Sequence, residues 1–270
     1  MCELLAMSCR HPAQLTSSLT ALASHAKGER HNRDGWGLAF YQGKDVALYR
    51  DTSPADTSPL VPWLEANGPA TTLSVGYIRH ATQGAVNLAN TGPFMRELSG
   101  YMQVFAHNGN LKLLVQTSLV NGGLFQPVGD IDSELAFCLL LKRLKGLEHA
   151  PDELPSLQAR MDAVAEMARS LREYGPASFL YADSDVLFAH ADRRLQSLTG
   201  QVTAPALYRL ECPVGNKAAL VRNCDVPDDQ TAQRVILLAS VPLTSEAWTP
   251  MPRGEVIAVC QGEIVATMQL

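Results

Sequence analysis

Basic runs, cysteine pairs, long apolar stretches, glycosylation acceptors and repeats are all missing from this 270-residue chain. Each absence removes a class of function. The formal net charge is −5, and the basic pairs Lys142-Arg143 and Arg193-Arg194 stand isolated. Nucleic acid and anionic membrane are therefore not expected as partners. The longest apolar run, residues 135–141, stops at charged Lys142 and Arg143. That is far short of the ~18 residues needed to span a bilayer. Cysteines at positions 2, 9, 138, 212, 224 and 260 form no C-x-x-C pair and no Cys/His cluster with zinc spacing. Neither a metal nor a disulfide framework is expected, and the usage fits a reducing cytosol. Glu3 and Arg10 bracket too short an apolar stretch for a signal peptide. No N-x-[ST] acceptor occurs. The expected location is cytoplasmic.

What is present is a chain 46% hydrophobic, long enough for a sizeable core. Short β-like runs dominate: 37–41, 46–50, 72–78, 101–106, 178–182, 186–189, 234–240, 255–259 and 264–267. Turns are expected near Asp183-Ser184-Asp185 and at Gln261-Gly262. Helical periodicity predicts helices over 13–27, Asp132–Lys145 and Leu157–Tyr174. The Pro-bearing stretch 148–155 is the one linker candidate. The strands after it carry no motif of a second domain, so it reads as a surface loop and residues 1–270 as a single domain. Strands on both sides of a central helical segment suit a layered α+β domain of two packed sheets with helices outside.

Cys2 comes directly after Met1. Removal of Met1 would leave a residue with both a thiol and a free α-amine. The thiolate is a strong nucleophile. The amine, with a pKa of about 7.7–8.0, can serve as its base. The plainer reading is a buried cysteine opening a strand over 2–7.

Four further segments bear on that choice. In Asn32-Arg33-Asp34-Gly35-Trp36-Gly37 the Asp-Gly predicts a tight turn before a strand, and Trp36 could line a pocket. In Gly76-Tyr77-Ile78-Arg79-His80-Ala81-Thr82-Gln83-Gly84 an arginine ends a strand. Arg79 suits a carboxylate and Thr82 adds a hydroxyl, while a surface ion pair and a structural His80 are the plain alternatives. In His107-Asn108-Gly109 the Asn-Gly predicts a type I′ turn. The same pair could aim the Asn108 amide and the Gly109 N–H at one oxyanion. In Asp130-Ile131-Asp132-Ser133-Glu134 a helix start holds more carboxylates than capping needs, so Asp132 could take an ammonium. A carboxylate site beside an ammonium site describes the head of a free amino acid. The carbonyl attacked would then lie in its side chain, as in glutamine or a γ-glutamyl group.

With these segments in view the chain resembles the class II, N-terminal-cysteine glutamine amidotransferases of the Ntn-hydrolase superfamily, most closely the standalone YafJ-like group. Met1-Cys2-Glu3-Leu4, Asp34-Gly35-Trp36-Gly37, Arg79-His80-Ala81-Thr82-Gln83-Gly84, His107-Asn108-Gly109, Asp132-Ser133-Glu134 and the late Ala239-Ser240-Val241-Pro242-Leu243-Thr244 carry the likeness. It implies a four-layer αββα sandwich of two mostly antiparallel sheets. It also implies catalysis by Cys2 with Asn108 and Gly109, and substrate binding by Arg79, Thr82 and Asp132, to which His80 and Trp36 are added as expected substrate-binding residues. No cofactor is implied. His80 and Gln83 depart from the aromatic residue and histidine of the sugar-phosphate-synthesising relatives, which use that loop to gate ammonia.

The expected reaction is hydrolysis of glutamine to glutamate and ammonia through a γ-glutamyl thioester. Ammonia would be released or passed to a separate ammonia-accepting synthase. Two other readings stand beside it. One is a γ-glutamyl peptide or conjugate hydrolase. The other is a catalytically silent binding or regulatory protein, if Met1 is retained.

Overall fold

Alternation along the first strand sets the layering of the whole molecule. In the computed structural model, which describes residues 2–15, 17–24, 32–114, 124–147, 153–196, 199–212, 221–223 and 233–270, strand β1 runs Glu3–Leu15. Its Leu5, Met7 and Cys9 enter one hydrophobic cluster, while Leu4 and Ala6, with Cys2 before them, enter another. This is the period-2 geometry of a strand buried on both faces.

The chain continues through α1 (Ser17–Ser24), β2 (Trp36–Gln42), β3 (Asp45–Asp51), α2 (Leu60–Asn67) and β4 (Thr71–Ile78). Next come β5 (Phe94–Leu98), β6 (Tyr101–Gly109), α3 (Asp132–Lys145) and α4 (Leu157–Tyr174). After them lie β7 (Ala177–Ala182), β8 (Leu187–His190), the short pair β9 (Arg194–Leu195) and β10 (Val202–Thr203), and β11 (Tyr208–Cys212). The last elements are β12 (Val221–Asn223), β13 (Val235–Ala239), β14 (Thr249–Pro250), β15 (Glu255–Cys260) and β16 (Glu263–Gln269).

One sheet has the order β14-β11-β13-β1-β4-β2-β3, with β12 also on β1; the other has β16-β15-β8-β7-β6-β5. Every described pairing is antiparallel. Leu22 of α1 and Val61 and Leu64 of α2 cover the outer face of the first sheet. Leu140 of α3 and Val164 of α4 cover Phe105, Phe179 and Phe188 on the outer face of the second. Between the sheets lie Leu4, Val75, Tyr77, Val104, Leu180 and Ile257. The layers are therefore α, β, β, α, as the sequence led us to expect. Phe105 and Phe137 stack between the second sheet and its helices with ring centroids 5.4 Å apart, a contact whose truncation to alanine would cost about 3–5 kcal/mol.

Several local expectations are corrected. The helix expected over 13–27 starts at Ser17, because β1 keeps pairing with β12 as far as Leu15. Residues 25–27 and 148–152 lie outside the described residues, and so does the first part of the expected 148–155 loop. The type I′ turn at Asn108-Gly109 does not form. Both residues belong to β6 and pair with Ser178 and Ala177 of β7. Gln261-Gly262 does turn β15 into β16, with both residues at positive φ, as a type I′ turn requires.

Candidate active site

Cys2 stands just before β1, facing the layer between the sheets, and is buried. Leu4 pairs with Tyr77 and Glu3 with Ile78, so the end of β4 delivers Tyr77 and the residues after it to the thiol. Tyr77 Oη lies 2.9 Å from Cys2 Sγ. The main chain of His80 brackets the same sulfur: its N–H donates at 3.3 Å and its carbonyl lies at 3.5 Å. Burial pushes the Cys2 thiol up from its usual range, and the His80 backbone and Tyr77 hydroxyl work against that. Burial, then the neighbouring Cys2, pushes the Tyr77 phenol well up, so it stays protonated.

The turn before β2 holds this loop. Gly35 has φ +119°, and a Cβ there would sit 2.8 Å from the Asp51 carbonyl, so no other residue fits well. Gly35 O accepts from Arg79 N at 2.8 Å, and the Asp34 carboxylate accepts from Ala81 N at 2.7 Å. Arg79 is buried, and its guanidinium donates to the carbonyls of Ala85 and Gln83, both at 3.0 Å. The sequence pointed Arg79 at a carboxylate; here it shapes the 83–85 loop. Thr82 sits exposed on that loop.

From the opposite sheet, β6 sends Val104 and Ala106 into the middle layer. Asn108 comes next with the same parity and is fully buried. Its amide nitrogen donates to Ser240 Oγ at 3.3 Å, and Ser240 Oγ also accepts from Leu4 N at 3.0 Å. Ser240 thus ties the start of β1 to Asn108 across the two sheets. Asn108 Oδ1 is buried with no hydrogen-bond partner. Gly109 admits no side chain: a Cβ would lie 1.9 Å from the Pro176 carbonyl and 2.3 Å from His107 Nε2. His107 has the other parity and turns to α3, where Nδ1 meets Ser133 Oγ at 2.8 Å. Burial lowers its pKa.

Asp132 opens α3 and is buried; one oxygen accepts from Leu111 N at 2.5 Å and from the Gln83 side-chain amide at 3.3 Å. Glu134 accepts from the backbone of Val128 and Gly129 and pairs with Arg96. The acidic helix start therefore holds loops on both sides, rather than leaving a carboxylate idle. Trp36 is not brought to this place. With Leu38 and Phe40 it belongs to the cluster on the outer face of the first sheet, beneath α1 and α2, which corrects the expectation that it lines a pocket. Among the described residues no group of three or more His, Cys, Asp or Glu could hold a metal ion, and no helix is long and apolar enough to cross a membrane.

Sequence reasoning gave no role to Tyr77, Ser240, Glu3 or Arg194. Glu3 and Arg194 form a buried pair beside Cys2, and Arg194 also donates to the Ser240 carbonyl at 2.8 Å. Parity could have found Tyr77, which lies in β4 two residues before Arg79. Nothing local links Arg194 to Glu3, 191 residues away.

The model of the family described as "Glutamine amidotransferases class-II" matches residues 1–270. The chain belongs to this family. It is 34% identical over 271 residues to the Escherichia coli protein described as "Putative glutamine amidotransferase YafJ", covering 98% of this chain and 100% of that one. A Pseudomonas aeruginosa structure described as a predicted glutamine amidotransferase matches with a TM-score of 0.66 at 28% identity, covering 98% of this chain and 99% of that chain. The glutamine phosphoribosylpyrophosphate amidotransferase of Bacillus subtilis shares the fold, with a TM-score of 0.59 at 16% identity, across 99% of this chain and 49% of that one. The protein is a glutamine amidotransferase-type enzyme with the Ntn-hydrolase sandwich.

Proposed function

We propose that this enzyme hydrolyses the side-chain amide of glutamine through a γ-glutamyl thioester on Cys2. Met1 lies outside the described residues; its removal supplies the α-amine. That amine takes the thiol proton as Sγ attacks the amide carbon, and hands the proton to the departing ammonia. The negative oxygen of the tetrahedral intermediate receives hydrogen bonds from Asn108 and Gly109. A side-chain amide has two N–H donors, and Ser240 uses one of those on Asn108, which leaves the other for the oxyanion. Water then attacks the thioester, the amine takes its proton, the C–S bond breaks and glutamate leaves. Arg79 and Thr82 receive the substrate carboxylate and Asp132 its ammonium, so Arg79 gives up carbonyls of the 83–85 loop and Gln83 its bond to Asp132 when substrate enters.

The observation that carries this reading is the meeting of a buried, backbone-bracketed Cys2 thiol with Asn108 from the opposite sheet, joined through Ser240. Glutamate release from glutamine, measured on protein of verified mass, tests it. Wild type lacking Met1 should release glutamate and Cys2→Ala should not. A processed wild type that leaves glutamine intact while cleaving γ-glutamyl dipeptides would move the assignment to conjugates.

A further inference from the structure

We infer that Tyr77 is a further catalytic residue, whose hydroxyl donates a fixed hydrogen bond to the Cys2 sulfur and stabilises it as a thiolate. This rests on the reading that Cys2 is the nucleophile. The Oη–Sγ distance is 2.9 Å. Both side chains are buried in the middle layer, so water does not compete for the contact. The ring is immobilised: it stands on Gly92, where even an added Cβ would come within 3.3 Å of Tyr77 Cδ1. Strand pairing of Leu4 with Tyr77 fixes the two main chains in register.

The other donor to the sulfur is the His80 N–H, whose position is set by the backbone. A tyrosine hydroxyl and a backbone amide together give a thiolate two neutral donors, in a place where burial alone would disfavour the charge. The charged groups around the pair are few. The N-terminal amine acts on Cys2, Arg79 acts on both partners and Asp132 acts on Tyr77. Glu3, next in the chain, is neutralised by Arg194, and Asp34 is engaged at Ala81 N. Tyr77 loses no proton in this scheme. It donates to sulfur before attack. It donates again when the thioester C–S bond breaks and the electron pair returns to sulfur.

The test is the pH dependence of Cys2 alkylation by iodoacetamide, with peptide mass mapping afterwards so that the other cysteines are scored separately. Charge-assisted hydrogen bonds of this kind are worth about tenfold or more in an equilibrium. Tyr77→Phe should raise the alkylation midpoint by about one pH unit. Because a more basic thiolate is also more nucleophilic, the rate at pH 7 should fall only about threefold. A folded Tyr77→Phe protein with an unmoved midpoint overturns the inference, since a packing role alone would change melting and leave the midpoint in place. If that variant does not fold, 3-fluorotyrosine installed at position 77 keeps the shape and strengthens the donor. The midpoint should then move down, and no movement is again a refutation. Alkylation needs no glutamine, so the two claims separate. A shifted midpoint in an enzyme that never releases glutamate leaves Tyr77 its role and removes the glutaminase reading; an active glutaminase with an unmoved midpoint does the reverse.

Discussion

Glu3 and Arg194 form a two-pronged ion pair directly beside Cys2, with contacts of 2.7 and 3.0 Å and both side chains more than nine-tenths buried. The bidentate fork fixes geometry as well as charge. Because Arg194 also holds the Ser240 carbonyl, the pair braces the nucleophile strand and the segment that positions Asn108. Removing one member strands the other charge in the interior, which typically costs about 3–5 kcal/mol. Arg194→Met should lose stability of that order in urea unfolding. Adding Glu3→Gln to it should recover much of the loss without restoring full activity. A single variant as stable as wild type would show the pair to be ornamental.

Ser240→Ala tests the bridge between the sheets. Its hydroxyl accepts from Leu4 N and from Asn108 Nδ2. Without it, two buried N–H groups lose this partner, each at a cost of about 1–3 kcal/mol. The Asn108 amide also loses its orientation, so kcat for glutamine should fall by roughly 10-fold or more while KM moves little. An unchanged kcat would separate Ser240 from the oxyanion donor.

Gly109→Ala should be far worse than an ordinary surface glycine change. The new methyl would meet a backbone carbonyl at 1.9 Å, and backbone cannot rotate away as a side chain does. Overpacking of this kind costs about 1–3 kcal/mol when the structure yields. Here the yielding groups are the Pro176 carbonyl, which holds Asn110 N, and His107, the residue before Asn108. Glutaminase activity should be lost in a protein that still melts cooperatively; retained activity would take Gly109 out of the site.

The parts of the fold that were legible are those with strong local pattern. The bounds expected for α3 and α4 match those found, because start signal, apolar stripe and glycine stop lie within one segment: α3 begins with Asp132 and Glu134, and α4 is capped by Ser156. Strands β5 and β11 went unread because Arg96 and Glu97, and Arg209 and Glu211, interrupt the apolar pattern. Helix α2 went unread because Pro62 falls inside it. Asn108-Gly109 shows the limit most clearly: the dipeptide prefers a turn, and a partner strand nearly 70 residues later overrules it. The candidate site was legible as a set of segments, since Cys2 and Arg79 adjoin strand ends, Asn108 is next to last in β6 and Asp132 begins α3. Their supports, Ser240 and Arg194, come from far along the chain and are seen only once the sheets are formed.

Acid should weaken the fold through His190. Burial pushes its pKa down to about 4, against about 6.5 for an unfolded histidine. The ring is neutral in the fold and lies 2.7 Å from the Ala177 carbonyl through Nδ1, while Nε2 is buried without a partner. Between pH 6.5 and 4 the unfolded chain therefore binds a proton that the folded chain refuses, so stability rises with pH across this window. The contribution is fully present above about pH 6.5, declines as pH falls, and levels off near pH 4. Its size is about 3 kcal/mol. His107 is shifted in the same direction by the same cause and adds to the slope. Urea midpoints measured at pH 7 and pH 4.5 should fall steeply for wild type and less for His190→Gln, which cannot titrate. Parallel falls in the two proteins would place the acid sensitivity in the carboxylates instead.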